Sequence, residues 1–165
     1  MPKNLVNNEL LERRIAARIG LRDPNREGVG SWKPGSALLV GEQSAHPTDS
    51  PNQQPFCDLH GCSGWLNSQL ELASIPEDRL YWVNALNNDG SAVHLCKLIY
   101  DLKPSIVITM GKVADDLWNR TCDDMFPHTS VPHPQYWKRF RNKDPYPLID
   151  VLKNTLSSHI NRTAW

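Results

Sequence analysis

Residues 105–111 read SIVITMG. The run is apolar on both faces and rich in β-branched side chains. It is too short for a helix and stops at a glycine, which marks a strand buried on both sides. Two similar runs precede it, SALLVG at 36–41 and LYWVNAL at 80–86, the second ending near Asn84. Between the runs lie helical patterns: GCSGWLNSQLELAS at 61–74 and SAVHLCKLIYDL at 91–102, the latter closed by Lys103 and Pro104. KVADDLWNR at 112–120 follows the third strand, and residues 122–134 are irregular with a short strand at 129–131. A helix starts near Tyr136 and another covers PLIDVLKNTLSSHI at 147–160. Upstream, residues 7–20 set Leu10, Leu11, Ile15 and Ile19 on one helical stripe, and residues 22–36 form a Pro/Gly-rich loop. Strands alternating with helices predict βαβ units and hence an α/β fold. The expected architecture is a three-layer domain with a central, mostly parallel four-stranded sheet flanked by helices.

The 165 residues suit one domain, with residues 1–35 as an N-terminal helix and loop and 36–156 as its core. Lys+Arg and Asp+Glu are both 18, so no overall positive field attracts nucleic acid, and any such contact needs a local patch. No stretch approaches the roughly 18 apolar residues of a membrane span, and no membrane partner is expected. MPKNLVNNELLERR lacks an apolar signal region, which predicts an intracellular, cytoplasmic protein. The four cysteines, at 57, 62, 96 and 122, are then free thiols. Cys57, His60 and Cys62 have no second pair at zinc spacing, so no metal is expected.

In parallel sheets, ligands gather beyond the carboxyl ends of the strands. That rule selects Glu42, Gln43, Ser44 and His46 after the first strand. It selects Asn84, Asn87 and Asn88 after the second, Gly111 and Lys112 after the third, and His133 after the fourth.

The ordered motifs are G-E-Q-S-A-H at 41–46, Q-P-F at 54–56 and G-C-S-G-W-L-N at 61–67. They continue with Y-W-V-N-A-L at 81–86, P-S-I-V-I-T-M-G-K-V-A-D-D-L at 104–117 and H-P-Q at 133–135. Together they resemble the uracil-DNA glycosylase superfamily, most of all its thermophile-type, family 4-like branch, over residues 36 to about 156. The resemblance implies a monofunctional DNA glycosylase that flips a deaminated or modified base out of DNA and hydrolyses its N-glycosidic bond. It implies Glu42 and His133 as catalytic residues, one handling water or the cationic sugar and one donating to the leaving base. Phe56 would stack on the base, Asn84 would read its edge, and Gln43 would line the pocket. Gln43 stands where the G-Q-D-P-Y-H branch has its Asp, and His46 falls where that branch has its motif His. The first loop lacks the Pro-Gly of G-E-x-P-G, so the base need not be uracil. No cysteine precedes Cys57, so the iron–sulfur cluster of the family 4-like branch is not expected, and no cofactor is.

After His133 the chain runs PQYWKRFRNK, with Lys138, Arg139, Arg141 and Lys143 among Tyr136, Trp137 and Phe140. In the family this segment enters the minor groove and plugs the gap left by the flipped base. The resemblance therefore implies DNA contacts from His46, Lys112, Gln135, Tyr136, Trp137, Lys138, Arg139 and Arg141, on duplex or single strand, by a monomer. Each assignment has a structural alternative: Phe56 as a core plug, Asn84 as a cap, His133 as a backbone partner, and the basic segment as a solvated helix packed through Trp137 and Phe140. At the level of function, an N-glycosidase for free nucleotides and a non-catalytic base or DNA binder both remain open.

Overall fold

The computed structural model describes residues 6–43, 54–122 and 126–163. Its elements in order are α1 (Asn8–Gly20), β1 (Val29–Gly30), β2 (Ala37–Gly41), α2 (Gly61–Leu72), β3 (Leu80–Asn84), α3 (Leu95–Leu102), β4 (Ile106–Met110), α4 (Lys112–Thr121), β5 (His128–Val131), α5 (Pro134–Phe140) and α6 (Pro147–Thr163). The fold is α/β, with a mostly parallel sheet in the order β1-β3-β2-β4-β5. Strands β3, β2, β4 and β5 are parallel, and β1 pairs antiparallel with β3 through Val29–Trp82 and Gly30–Tyr81.

The sheet therefore has five strands among the described residues, not the four expected. The extra strand lies inside the segment expected to be loop. Two residues carry no period of their own, and their pairing with β3 spans more than fifty positions. α3 also starts at Leu95, later than the pattern at 91–102 suggested. Asp89 accepts hydrogen bonds from the Ser91 amide (2.9 Å) and hydroxyl (2.6 Å), and Val93 N donates to Ala85 O at 2.9 Å. A tight reverse turn thus uses the residues that would have formed the first helical turn.

All five residues of β2 are buried. Ala37 and Leu39 pack with Ile15 of α1, Leu66 and Leu70 of α2, and Leu148 and Leu152 of α6. Leu38 and Val40 pack on the opposite face with Leu98 and Ile99 of α3 and Leu117 of α4. A strand covered on both faces must be apolar at every position, which is why these segments show no alternation. From β2 the chain steps outward to β3, then crosses back over β2 to β4 and β5. The strand order reverses at β2, so a crevice opens beyond its carboxyl end. No helix among the described residues is long and apolar enough to cross a membrane.

Candidate functional site

A cleft of about 430 Å³ occupies that crevice. Glu42 and Gln43 border it from the end of β2, Asn84 from the end of β3, His133 and Gln135 from the start of α5, and Phe56 from the segment before α2. These six strand-end and motif residues are brought together. Gly41 explains how they meet. A Cβ on Gly41 would lie 2.7 Å from Asn84 Oδ1 and 2.8 Å from Phe56 Cε2. Only a residue without a side chain lets the carboxamide and the ring close over the strand end. Beyond the strands the ladder continues, with Ala85 N donating to Gly41 O and Leu86 N to Glu42 O, both at 2.9 Å. Gln43 Nε2 donates to Asn87 O at 2.9 Å. The backbone of Glu42 is thus held while its carboxylate is exposed. Among the described residues the Asn84 carboxamide has no side-chain hydrogen bond.

His133 caps α5. Its Nδ1 accepts from Gln135 N at 3.1 Å, and Pro134 occupies the first helical turn, where a missing N–H costs nothing. A ring nitrogen that accepts carries no proton, so neutral His133 bears its hydrogen on Nε2. Burial pushes the His133 pKa down, opposed by the nearby Glu42 charge, and this favours the neutral ring. Two backbone contacts fix its place. Tyr146 Oη donates to Pro132 O at 2.7 Å, and burial pushes that phenol's pKa up. Gly111, at φ 93°, backs onto His133, whose Cβ would be 2.9 Å from any Cβ added there.

Phe56 adopts the left-handed conformation at φ 54°, which costs a non-glycine residue about 1–2 kcal/mol. A buried network holds it. The Phe56 carbonyl accepts from Arg18 Nη1 (2.7 Å) and Asn67 Nδ2 (2.8 Å). Arg18 is fully buried and also donates to Asn67 Oδ1 and to both oxygens of Glu77 at 2.7–2.8 Å. Its guanidinium lies 4.0 Å from the Trp82 ring centroid, and Trp82 Nε1 donates to Glu77 Oε2 at 2.8 Å. Arg14 adds a bond from Nη1 to Glu77 Oε1 at 3.0 Å. The Phe56 ring, 5.7 Å from Trp82 and 6.1 Å from His133 by centroid, forms one wall of the cleft.

Sequence reasoning missed this support. Its signal was Arg14 and Arg18 flanking Ile15 on the apolar stripe of α1. It also missed the opposite wall, where His60, Gly61, Cys62 and Ser63 begin α2. Of the two cysteines that border the cleft, burial pushes Cys57 up to about 11 and raises Cys62 as well. Among the described residues no group of three or more His, Cys, Asp or Glu side chains is placed to hold a metal ion.

Other expected site residues lie elsewhere. Lys112 borders a separate depression with Asp115, Asp116 and Ser130, and its Nζ bonds Asp116 Oδ2 at 3.2 Å. It starts α4, which leaves β4 on the face opposite α2, and this carries it out of the cleft. His46, with Ser44 and Ala45, lies outside the described residues. On α5 the aromatics divide. Trp137 turns inward against Tyr146 (centroids 6.0 Å) and donates Nε1 to Asp144 O at 3.0 Å. Tyr136 and Phe140 are 50% and 68% exposed, with centroids 5.3 Å apart. Lys138 is half-buried near Cys62, and Arg139 is exposed. In the amide orientation that satisfies both ends, Gln135 accepts from Arg139 Nε at 2.8 Å. Arg141 pairs with Asp144 at 3.0 Å.

No protein-family model matches the chain, and a search of the curated proteins finds no match either.

Proposed function

We propose that this chain is a monofunctional DNA glycosylase that accepts a flipped deaminated or modified base and hydrolyses its N-glycosidic bond. The observation that carries the reading is the meeting of a flat ring (Phe56), an uncommitted carboxamide (Asn84), a neutral imidazole (His133) and a carboxylate (Glu42) in one cleft. Each matches one demand of the reaction. The Phe56 face stacks on the base, worth about 1–3 kcal/mol. Asn84 offers a donor and an acceptor to the base edge. As the bond from C1′ to the base nitrogen breaks, its electron pair leaves with the base. Nε2–H of His133 donates to the base carbonyl where that charge collects. Glu42 faces the cationic sugar and takes the proton of the water that attacks C1′. Tyr136, Phe140, Lys138 and Arg139 supply the aromatic and cationic surface beside the cleft, which suits unpaired DNA.

The test is a panel of short duplexes and single strands, each with one uracil, hypoxanthine, xanthine or modified pyrimidine, followed by alkaline cleavage of abasic sites. Strand scission by the wild type that disappears in Glu42→Ala supports the reading. Release from mononucleotides alone would make the chain an N-glycosidase of free nucleotides. Tight binding with no release from any substrate would make it a non-catalytic base binder.

A further inference from the structure

A second cleft, of about 240 Å³, adjoins the first and shares Gln54 and Asn84 with it. Its lining differs in chemistry. Where the first cleft has the Phe56 ring and the Cys57 and Cys62 thiols, the second has Arg22, Arg26 and the asparagines at 84, 87 and 88. Glu27 is its one carboxylate among the described residues, and both of its oxygens are engaged. Oε1 accepts from His94 N (3.1 Å) and lies 3.3 Å from His94 Nδ1, while Oε2 accepts from Asn87 Nδ2 at 3.3 Å. Arg26 is held at the rim by Asp23 (3.3 Å) and over the Trp32 ring (4.5 Å). Arg22, exposed just past α1, has no carboxylate partner among the described residues. A nucleotide in DNA is a flat, largely apolar base joined to charged phosphodiesters. Two touching clefts, one with an aromatic wall and an edge reader and one with a guanidinium that has no carboxylate partner among the described residues, divide along that same line.

We infer that the second cleft is a phosphodiester subsite, in which Arg22 binds a phosphate flanking the nucleotide whose base enters the first cleft. The inference rests on the proposed glycosylase reading. The Asn84 carboxamide lies on the boundary, so the base edge and the adjacent backbone are read from one side chain outward. Arg22 is then a positioning residue: it sets which nucleotide along the strand stands over the cleft and does not touch the reacting atoms.

The experiment uses a short fluorescein-labelled single strand containing one tetrahydrofuran abasic analogue, which binds whatever the target base is. Anisotropy gives its affinity for wild type and for Arg22→Ala at several salt concentrations, with thermal unfolding confirming that both are folded. A parallel set replaces one phosphodiester at a time beside the abasic analogue with a neutral methylphosphonate. The expected result is a drop of about 0.7–0.9 in the slope of log affinity against log salt on Arg22→Ala, the signature of one lost phosphate contact. One methylphosphonate position should weaken the wild type and leave Arg22→Ala unchanged, and Arg22→Lys should restore part of the slope. An unchanged slope in Arg22→Ala, with the methylphosphonate pattern of the wild type intact, overturns the subsite and leaves the glycosylase reading standing. Failure of the wild type to bind DNA overturns both.

Discussion

Gly41→Ala places one methyl group where Asn84 and Phe56 converge. The added carbon would stand 2.7 Å from Asn84 Oδ1 and 2.8 Å from Phe56 Cε2, short of ordinary contact at 3.4 Å by about 0.6–0.7 Å. β2 is central and buried on both faces, so its backbone cannot retreat, and the two side chains must move. Overpacking of this size costs about 1–3 kcal/mol. Replacing a strand glycine returns about 0.5–1 kcal/mol of backbone entropy. The predicted net loss of stability by urea unfolding is therefore modest, about 2.5 kcal/mol at most. The effect on function is larger, because displacing reactive groups by about an ångström costs on the order of 100-fold in rate. Base release by Gly41→Ala should fall by about that factor while the protein stays folded. In the Asn84→Ala background part of the clash is gone, so the stability costs should be non-additive by about 0.5 kcal/mol or more. Wild-type release rates in Gly41→Ala, together with strict additivity, would refute the account of why a glycine stands there.

Two further substitutions separate positioning from chemistry. His133→Asn keeps an N-cap acceptor for Gln135 N, whereas His133→Ala loses it. Denaturation should find the Asn variant near wild type and the Ala variant about 0.5–2 kcal/mol weaker, while both lose about 100- to 1,000-fold in base release. The His133 pKa is lowered from 6.5 in the folded state, so below 6.5 the unfolded chain binds the extra proton first. Stability therefore rises with pH through the window just under 6.5 and falls as pH drops toward the folded pKa. Urea midpoints across that window should show the wild type losing more on acidification than His133→Asn. Glu77→Ala leaves Arg18, whose side chain is fully buried, with no carboxylate among the described residues, while Arg14 keeps Glu71 at 3.0 Å. It should cost about 3–5 kcal/mol by the same assay, and a smaller loss would mean that the network does not hold Phe56.

The sheet was legible because strands covered on both faces must be apolar throughout. SALLVG, LYWVNAL and SIVITMG admit few other readings, and even the short strand before His133 left a trace at 129–131. β1 was not legible, since two residues have no period and their partner lies far along the chain. The cleft was legible for the same reason as the sheet. In a parallel sheet the residues after each strand share one edge, so Glu42, Gln43, Asn84 and His133 could be named from position alone. The rule overreached at Lys112, because the helix that follows β4 leaves on the other face. It fell short at Arg18 and Glu77, which meet across 59 positions, a pairing that no local pattern encodes. On α5, spacing alone could not decide which aromatics face outward: Trp137 is drawn in by Tyr146 and the Asp144 carbonyl, and Phe140 is left exposed.

The most direct measurement is mass spectrometry of the wild-type reaction in heavy-oxygen water, on the oligonucleotide from the base panel that is cleaved most. The account predicts free intact base, and an abasic strand whose sugar carries one labelled oxygen in the first turnover, with both products absent for Glu42→Ala. If no oligonucleotide in the panel releases a base, or if release continues unchanged in Glu42→Ala, the cleft does not perform the hydrolysis assigned to it.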